Sequence, residues 1–281
     1  MPEPSGTPVA GDRAVGYEVT AVRYGSMRAR RRDLFHRFES YGEPDAEVEM
    51  AYYFWVLRAG ERTVLVDSGF DPDVGRRRGR TCLTPPLQAL AALGVAAESV
   101  ATVVVTHFHY DHIGNLAAFP RAELIVPQRE LDFWTDPIAR RMQFASHVEA
   151  REVDHIARAH SEGRVRTTAG EEEILPGVVA ISAGGHSPGQ QITKVRTTAG
   201  TAILTSDAVH FYEELELDRP FAVIAALAAM YRSYDRIGRI CEEERAVVVP
   251  GHDPKVMQRF APTDGAASLA VEIQVDAVAD T

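Results

Sequence analysis

Cysteine is nearly missing from this sequence. Cys82 and Cys241 are the only two among 281 residues, which excludes a disulfide framework and makes a reducing compartment the expected setting. Both read as packing residues. Long apolar runs are missing too. The most apolar stretch, FAVIAALAAM at residues 221–230, is too short to span a bilayer and runs straight into YRSYDR. The opening MPEPSGTPVAGDRAVG has no cationic segment followed by an apolar one, so no secretory signal is visible and a cytoplasmic location is expected. Basic charge is in deficit, with 30 Lys and Arg against 40 Asp and Glu, a net charge of −10. That balance argues against a nucleic-acid binder, whose affinity rests on neutralising phosphates. It suits a soluble enzyme with a small-molecule partner, away from membranes.

Linkers and low-complexity segments are also absent. Residues 1–15, rich in Pro and Gly, read as a loose tail, and residues 16–281 read as a single α/β domain. A hydrophobic share of 45% and a charged share of 25% are ordinary for a globular chain. YEVTAVRYG alternates like a strand, and AYYFWVLRAGERTVLVDSGF reads as two strands around the turn AGER. LQALAALGV has helical spacing, with prolines before it and a glycine near its end. VATVVVTH is apolar on both faces, as a covered strand should be. AELIVPQREL reads as a strand and a helix entry, and residues 131–160 have helical character. GVVAISAGGH, QITKVRTTAGTAILTSD and RAVVVPGHDP are further strands that end in Gly-, His- or Asp-bearing loops, with a helix expected over 220–244. VRTTAG occurs twice, from Val165 and from Val195, at positions where hairpin turns are expected.

One stretch departs from this ordinary picture. TVVVTHFHYDHIGN, residues 102–115, sets three histidines and an aspartate into six positions after a valine run. His107 and His109, two apart on an extended chain, share a face, and the turn after them brings in Asp111 and His112. Three later strand ends add His186 in GGHSPGQ, Asp207 in LTSDAVH and His252 in VPGHDP. Burying so many polar groups without a partner is costly, so a metal site is expected. Imidazole with carboxylate suits zinc first, and iron, cobalt or manganese as well. One ion saturates at four to six ligands, so seven residues imply two divalent ions sharing a bridging carboxylate. A lone histidine at a strand end is more often structural, and His36, His147, His155 and His160 receive no role.

These motifs resemble the metallo-β-lactamase superfamily, whose pattern is His-x-His-x-Asp-His followed by separate His, Asp and His residues. The resemblance runs from about Tyr17 to Gln258 and implies an αββα sandwich of two mixed sheets covered by helices. It would place His107, His109 and His186 on one metal and Asp111, His112 and His252 on the other, with Asp207 bridging. LVDSGF resembles the family's Asp-Thr/Ser-Gly element, in which Asp67 orients a metal ligand. Asp207 stands where the cysteine-containing zinc β-lactamases carry Cys, and His109 where flavodiiron oxidoreductases carry Glu. GGHSPGQQ, SDAVHFY and VVPGHDPKVMQRF resemble the N-acyl homoserine lactone lactonase branch more than the glyoxalase II thioesterases. The resemblance implies opening of a lactone by a hydroxide activated between two metals, with Asp111 or Asp207 passing a proton to the leaving alkoxide. The branch has a tyrosine three residues after the bridging aspartate. Here that position is His210, with Tyr212 two further on, and either would serve as the electrophilic donor. Hydrolysis of another cyclic ester, an amide or a thioester, or simple binding without catalysis, are the competing readings.

Three further features bear on a substrate pocket. Residues 26–38, SMRARRRDLFHRF, mix five arginines with apolar residues at near-helical spacing and read mainly as a solvated face. In GRRRGR, residues 75–80, an arginine of the Arg76 to Arg80 run, with Arg76 and Arg78 as the named candidates, could pair with a substrate carboxylate, the alternative being a solvated charged segment. Phe133 and Trp134, with Phe144, would line the pocket or pack beneath it. The chain would be a monomer or a homodimer, the latter through the apolar helix expected after Pro220.

Overall fold

Alternation along the long strands decides the layering. In the strand Glu47–Ala59, Ala51, Tyr53, Trp55 and Leu57 enter one buried cluster while Tyr52, Phe54 and Val56 enter another. A strand apolar on both faces must be covered on both, and here one face meets a second sheet and the other meets helices. The structure, a computed structural model, describes residues 15–266 and 268–275. The loose tail expected for residues 1–15 lies, up to residue 14, outside the described residues, and Val15 packs partly against the inter-sheet core.

The first sheet takes β1 (Glu18–Arg30), β2 (Glu47–Ala59), β3 (Arg62–Val66), β4 (Thr81–Cys82), β5 (Thr102–Val104), β6 (Glu123–Pro127) and β7 (Val165–Thr168). The second takes β8 (Glu171–Leu175), β9 (Val178–Ser182), β10 (Gln191–Arg196), β11 (Thr201–Ser206) and β12 (Val247–Pro250). β13 (Ala261–Pro262) and β14 (Ala270–Glu272) then return to the first. Sheet orders are β13-β14-β1-β2-β3-β5-β6-β7, with β4 beside β1, and β12-β11-β10-β9-β8. Both sheets are mixed: β3, β5, β6 and β7 run parallel, as do β11 and β12, and the other pairs are antiparallel. Between the sheets lie Trp55, Val66, Val104, Ile125, Leu204 and Val249. The helices Pro86–Ala92 and Ala150–Ser161 cover the first sheet, and Leu227–Glu244 covers the second with Met230, Tyr234 and Ile237. This is the αββα sandwich. No helix among the described residues is long and apolar enough to cross a membrane.

Three local expectations are corrected. Residues 26–30 continue β1 rather than forming a helix, because Ser26 to Arg30 stay in register with Ala51 to Glu47 of β2; only Arg31–Leu34 makes a helical turn. The first VRTTAG is not a hairpin, since β7 belongs to one sheet and β8 to the other; the second does turn between β10 and β11. The helix expected from 220 begins at Leu227. Phe221 bridges to Phe35 instead, and the amides of Ala225 and Ala226 donate to the Gly185 carbonyl at 2.8 and 2.9 Å. Tertiary hydrogen bonds thus take the backbone that helical propensity would have used. The same helix buries its Met230–Ile237 face in its own chain rather than leaving it for a dimer.

Glu152 gives the outer layer a pH dependence. It is buried on the helix Ala150–Ser161, neither carboxylate oxygen has a hydrogen-bond partner among the described residues, and Arg151 stands 3.8 Å away. Burial pushes its carboxyl up to about 8. The unfolded chain releases this proton near pH 4.5 and the folded one near 8, so stability is lost as pH rises through that window. Denaturant unfolding is expected to lose on the order of 2 kcal/mol between pH 5 and pH 8, with most of that slope absent from Glu152→Gln.

Candidate metal centre

Parallel strands that end together deliver the polar residues to one rim. Asp67 follows β3, His107 and His109 follow β5, Asp207 follows β11 and His252 follows β12. Asp111 and His112 sit in the helical turn Tyr110–Ile113, and His186 lies in the loop between β9 and β10. That loop needs its glycines. A Cβ on Gly185, whose φ is +145°, would lie 2.4 Å from Met230 Cα, and one on Gly189 would lie 2.4 Å from Glu130 N.

Two groups of four result, all buried: His107, His109, His186, Asp207, and Asp111, His112, Asp207, His252. Asp207 belongs to both, and its two oxygens divide between them. Oδ1 lies 3.2 Å from His112 Nε2 and 2.9 Å from His252 Nε2. Oδ2 lies 3.2 Å from His186 Nε2 and 3.8 Å from His107 Nε2. Asp111 Oδ2 is 3.7 Å from both His112 Nε2 and His252 Nε2.

The outward ring nitrogens are tied down. Nδ1 of His112 meets Asp67 Oδ2 at 2.7 Å, Nδ1 of His252 meets the Ala51 carbonyl at 2.7 Å, and Nδ1 of His186 meets the Val223 carbonyl at 3.0 Å. His107 Nδ1 meets Thr106 Oγ1 at 3.1 Å. Such bonds set the tautomer that presents Nε2 to a metal. His109 turns Nδ1 inward, 2.9 Å from His186 Nε2.

Metal ions fit this donor set. Among the described residues, Nε2 of His107, His112 and His252 and Oδ1 of Asp207 are buried without a hydrogen-bond partner, a costly arrangement that a shared cation would relieve. Burial holds His107, His109 and His186 well below the usual histidine range, keeping their lone pairs free. At His112 burial is outweighed by Asp207, Asp111 and Asp67, which hold it well above. Burial alone would raise Asp207, yet His252, His112, His210 and His186 hold it well below the usual carboxylate range. Asp67 also accepts from Thr106 N and Oγ1, both at 2.8 Å, and Thr106 Oγ1 lies 2.9 Å from Ser206 Oγ. Asp67 and Ser206 carry φ of +63° and +45°. Both sheets thus hold a strained residue at this rim, as functional sites often do.

Other expected residues are placed differently. His210 does not line the cleft: it is fully buried beneath Phe221, with ring centroids 3.6 Å apart. Its Nε2 lies 3.2 Å from Asp207 Oδ2 and its Nδ1 3.4 Å from Glu214. Tyr212 is further off, packed between the sheets under the Arg259 guanidinium at 3.6 Å. The cause is local: Glu214 caps the turn by accepting from the amides of His210 and Phe211, which swings Tyr212 into the core. Arg76 pairs with Asp73 and is exposed, whereas Arg78 lines the cleft and lies 4.3 Å over Tyr110. Trp134 lines the cleft beside His109, and Phe133 packs behind it against Phe144. His147, given no role from sequence, also lines the cleft, its ring 5.1 Å from His109.

Sequence reasoning missed Glu130. It is fully buried and accepts from Phe108 N at 3.0 Å, Trp134 Nε1 at 2.7 Å, Ser187 Oγ at 2.5 Å and Gly189 N at 2.6 Å. One carboxylate therefore joins the His107–His109 loop to the His186 loop. Glutamate in a first helical turn usually faces solvent, so nothing in QREL marked it.

An αββα sandwich with two carboxylate-linked histidine groups at one rim defines a protein built around a dinuclear divalent metal site. The model of the metallo-beta-lactamase superfamily matches residues 49–258, and the chain belongs to that superfamily. The N-acyl homoserine lactonase AiiA of Bacillus thuringiensis subsp. kurstaki is 23% identical over 225 residues, 75% of this chain and 84% of its own. A solved quorum-quenching N-acyl homoserine lactone lactonase superposes with a TM-score of 0.69 at 22% identity, covering 87% of this chain and 95% of that one. AidC, a dizinc quorum-quenching lactonase solved with a product, superposes with a TM-score of 0.67 at 18% identity over 86% and 92%. At these identities the solved structures establish the shared fold.

His210 touches Asp207 and lies under Phe221, outside the cleft lining. His210→Gln is expected to weaken metal binding about 10- to 100-fold, read by competition with a chelator. A change in KM with metal affinity intact would instead return His210 to the substrate.

Proposed function

We propose that this protein is a metal-dependent hydrolase that opens small lactones of the N-acyl homoserine lactone type, with zinc as the metal. The observation that carries this reading is the pair of buried donor groups sharing Asp207 and opening onto a cleft of about 250 Å³. His107, His109 and His186 on one side and Asp111, His112 and His252 on the other, with Asp207 between, would hold two divalent cations, which would supply Lewis-acid polarisation of an ester carbonyl and a water of lowered pKa. The chain's own groups do the rest. Asp67 fixes the His112 tautomer, and Asp207 sets the spacing of the two donor groups. Asp111 lines the cleft, where a carboxylate oxygen receives a proton and passes it to the departing alkoxide. Met27, Leu34, Met50 and Val223 give the cleft apolar walls for a hydrocarbon chain and exclude water from it. With His210 sealed under Phe221, Tyr110 and His147 are among the polar side chains left in the wall.

The test is a panel of short- and long-chain acyl homoserine lactones and simple γ- and δ-lactones, followed as acid release by protein loaded with two metals per chain. Turnover of the acyl homoserine lactones is expected. Inertness of the fully loaded protein toward every lactone would overturn the reading.

A further inference from the structure

The arginine run beside the cleft is unevenly paired. Arg76 pairs with Asp73, Arg77 with Glu149 at 3.1 Å and Arg78 with Glu149 at 2.8 Å. Arg78 further donates to the carbonyls of Ser146 at 2.6 Å and Val148 at 3.1 Å, so its fork is spent on the protein. Arg80 differs. Among the described residues no carboxylate lies within ion-pair distance of it, and its recorded hydrogen bond is from Nε to Tyr110 Oη at 2.8 Å. That bond orients the guanidinium, and among the described residues neither terminal nitrogen makes a protein hydrogen bond. Arg80 lines the same cavity as Asp111 and Asp207, and is half-buried. With one of its five donors used, the Arg80 guanidinium keeps four for a partner in the cavity it lines.

From this geometry we propose that Arg80 is the specificity determinant for a carboxylate on the substrate, so that the preferred lactone carries an acidic group joined to the ring by a short apolar chain. The proposal rests on the lactone reading and deepens it. A planar fork matches a carboxylate in two parallel hydrogen bonds. One fork, with Asp111 near enough to act on it electrostatically, suits a monoanion rather than a phosphate dianion. Met27, Met50 and Tyr52, in the same cavity wall, offer an apolar surface for the intervening methylenes.

Two measurements on metal-loaded protein decide it. The first compares kcat/KM for a γ-lactone bearing an ω-carboxyalkyl chain with that for its methyl ester. Wild type is expected to favour the acid about 10- to 100-fold, mainly through KM, and Arg80→Met to bring the ratio near one. Arg80→Lys, which keeps the charge and loses the fork, should give an intermediate ratio and covers the case in which the methionine variant fails to fold. The second measurement needs no turnover: calorimetric binding of adipate against hexanoate, one carboxylate serving the metal centre and the other Arg80. Adipate is expected to bind about tenfold tighter than hexanoate to wild type and equally to Arg80→Met. Equal binding of the two acids to wild type, or a preference that survives Arg80→Met, overturns the proposal. Inertness toward these two and every other lactone of the panel, with the adipate preference intact, removes the lactone reading and leaves the carboxylate subsite standing.

Discussion

Asp207→Ala is expected to lower the metal content from two ions per chain to below one and to reduce lactone hydrolysis by on the order of 10³-fold or more. The size follows from how much converges on one side chain. Asp207 Oδ1 serves His112 and His252, and Oδ2 serves His186, His107 and His210, all within 3.8 Å. Without it, each half keeps three donors, and no carboxylate remains to screen one cation from the other. Elemental analysis after gel filtration reads the metal loss directly, separately from turnover. Retention of two ions per chain by the variant would remove Asp207 from the bridging position.

Glu130→Ala is the second large effect, and it acts on stability. Four donors, two of them backbone amides, point at one carboxylate with no solvent exposure. Burial pushes this carboxyl upward, against the hydrogen bonds of Ser187, Gly189, Trp134 and Phe108 that hold it down. Truncation leaves all four donors without a partner in a dry site. Each costs about 1–3 kcal/mol before relaxation, so a total on the order of 4 kcal/mol is expected. For a chain of this size that is about 10 °C in thermal midpoint. The metal-binding loops should loosen together, because His107 and His109 sit on one side of Glu130 and His186 on the other. Glu130→Gln, which keeps one acceptor oxygen, should fall between. A thermal midpoint within about 2 °C of wild type for the alanine variant would show that water replaces the carboxylate at little cost.

The seven metal-centre residues were legible because their signal is local and dense. Four donors in six positions after a valine run, and three more at strand ends, have few structural uses without a cation. The αββα architecture was legible from strands apolar on both faces, such as AYYFWVL, which need a cover on each side. The donor role given to His210 or Tyr212 was not legible, because it depended on where Glu214 and Phe221 pack. Glu214 turns the chain so that Tyr212 enters the inter-sheet core, and Phe221 shuts His210 off from the cleft. Residues 220–226 read as helix from composition, but hydrogen bonds to the Gly185 carbonyl won. In the arginine run, charge alone could not choose among Arg76 to Arg80. Glu149, 72 and 71 positions beyond Arg77 and Arg78, and Tyr110, 30 beyond Arg80, separate the spent guanidinium groups from that of Arg80.

By itself, then, the sequence determined the class of chemistry: imidazoles and carboxylates at spacings that only a metal cluster satisfies, on strands that must form two covered sheets. Tertiary structure decided which side chains line the cleft. Ligand identity is a property of residue type and local spacing. A role in the cleft depends on burial and on which charges share the same low-dielectric surroundings, and those are settled by residues far apart in the chain.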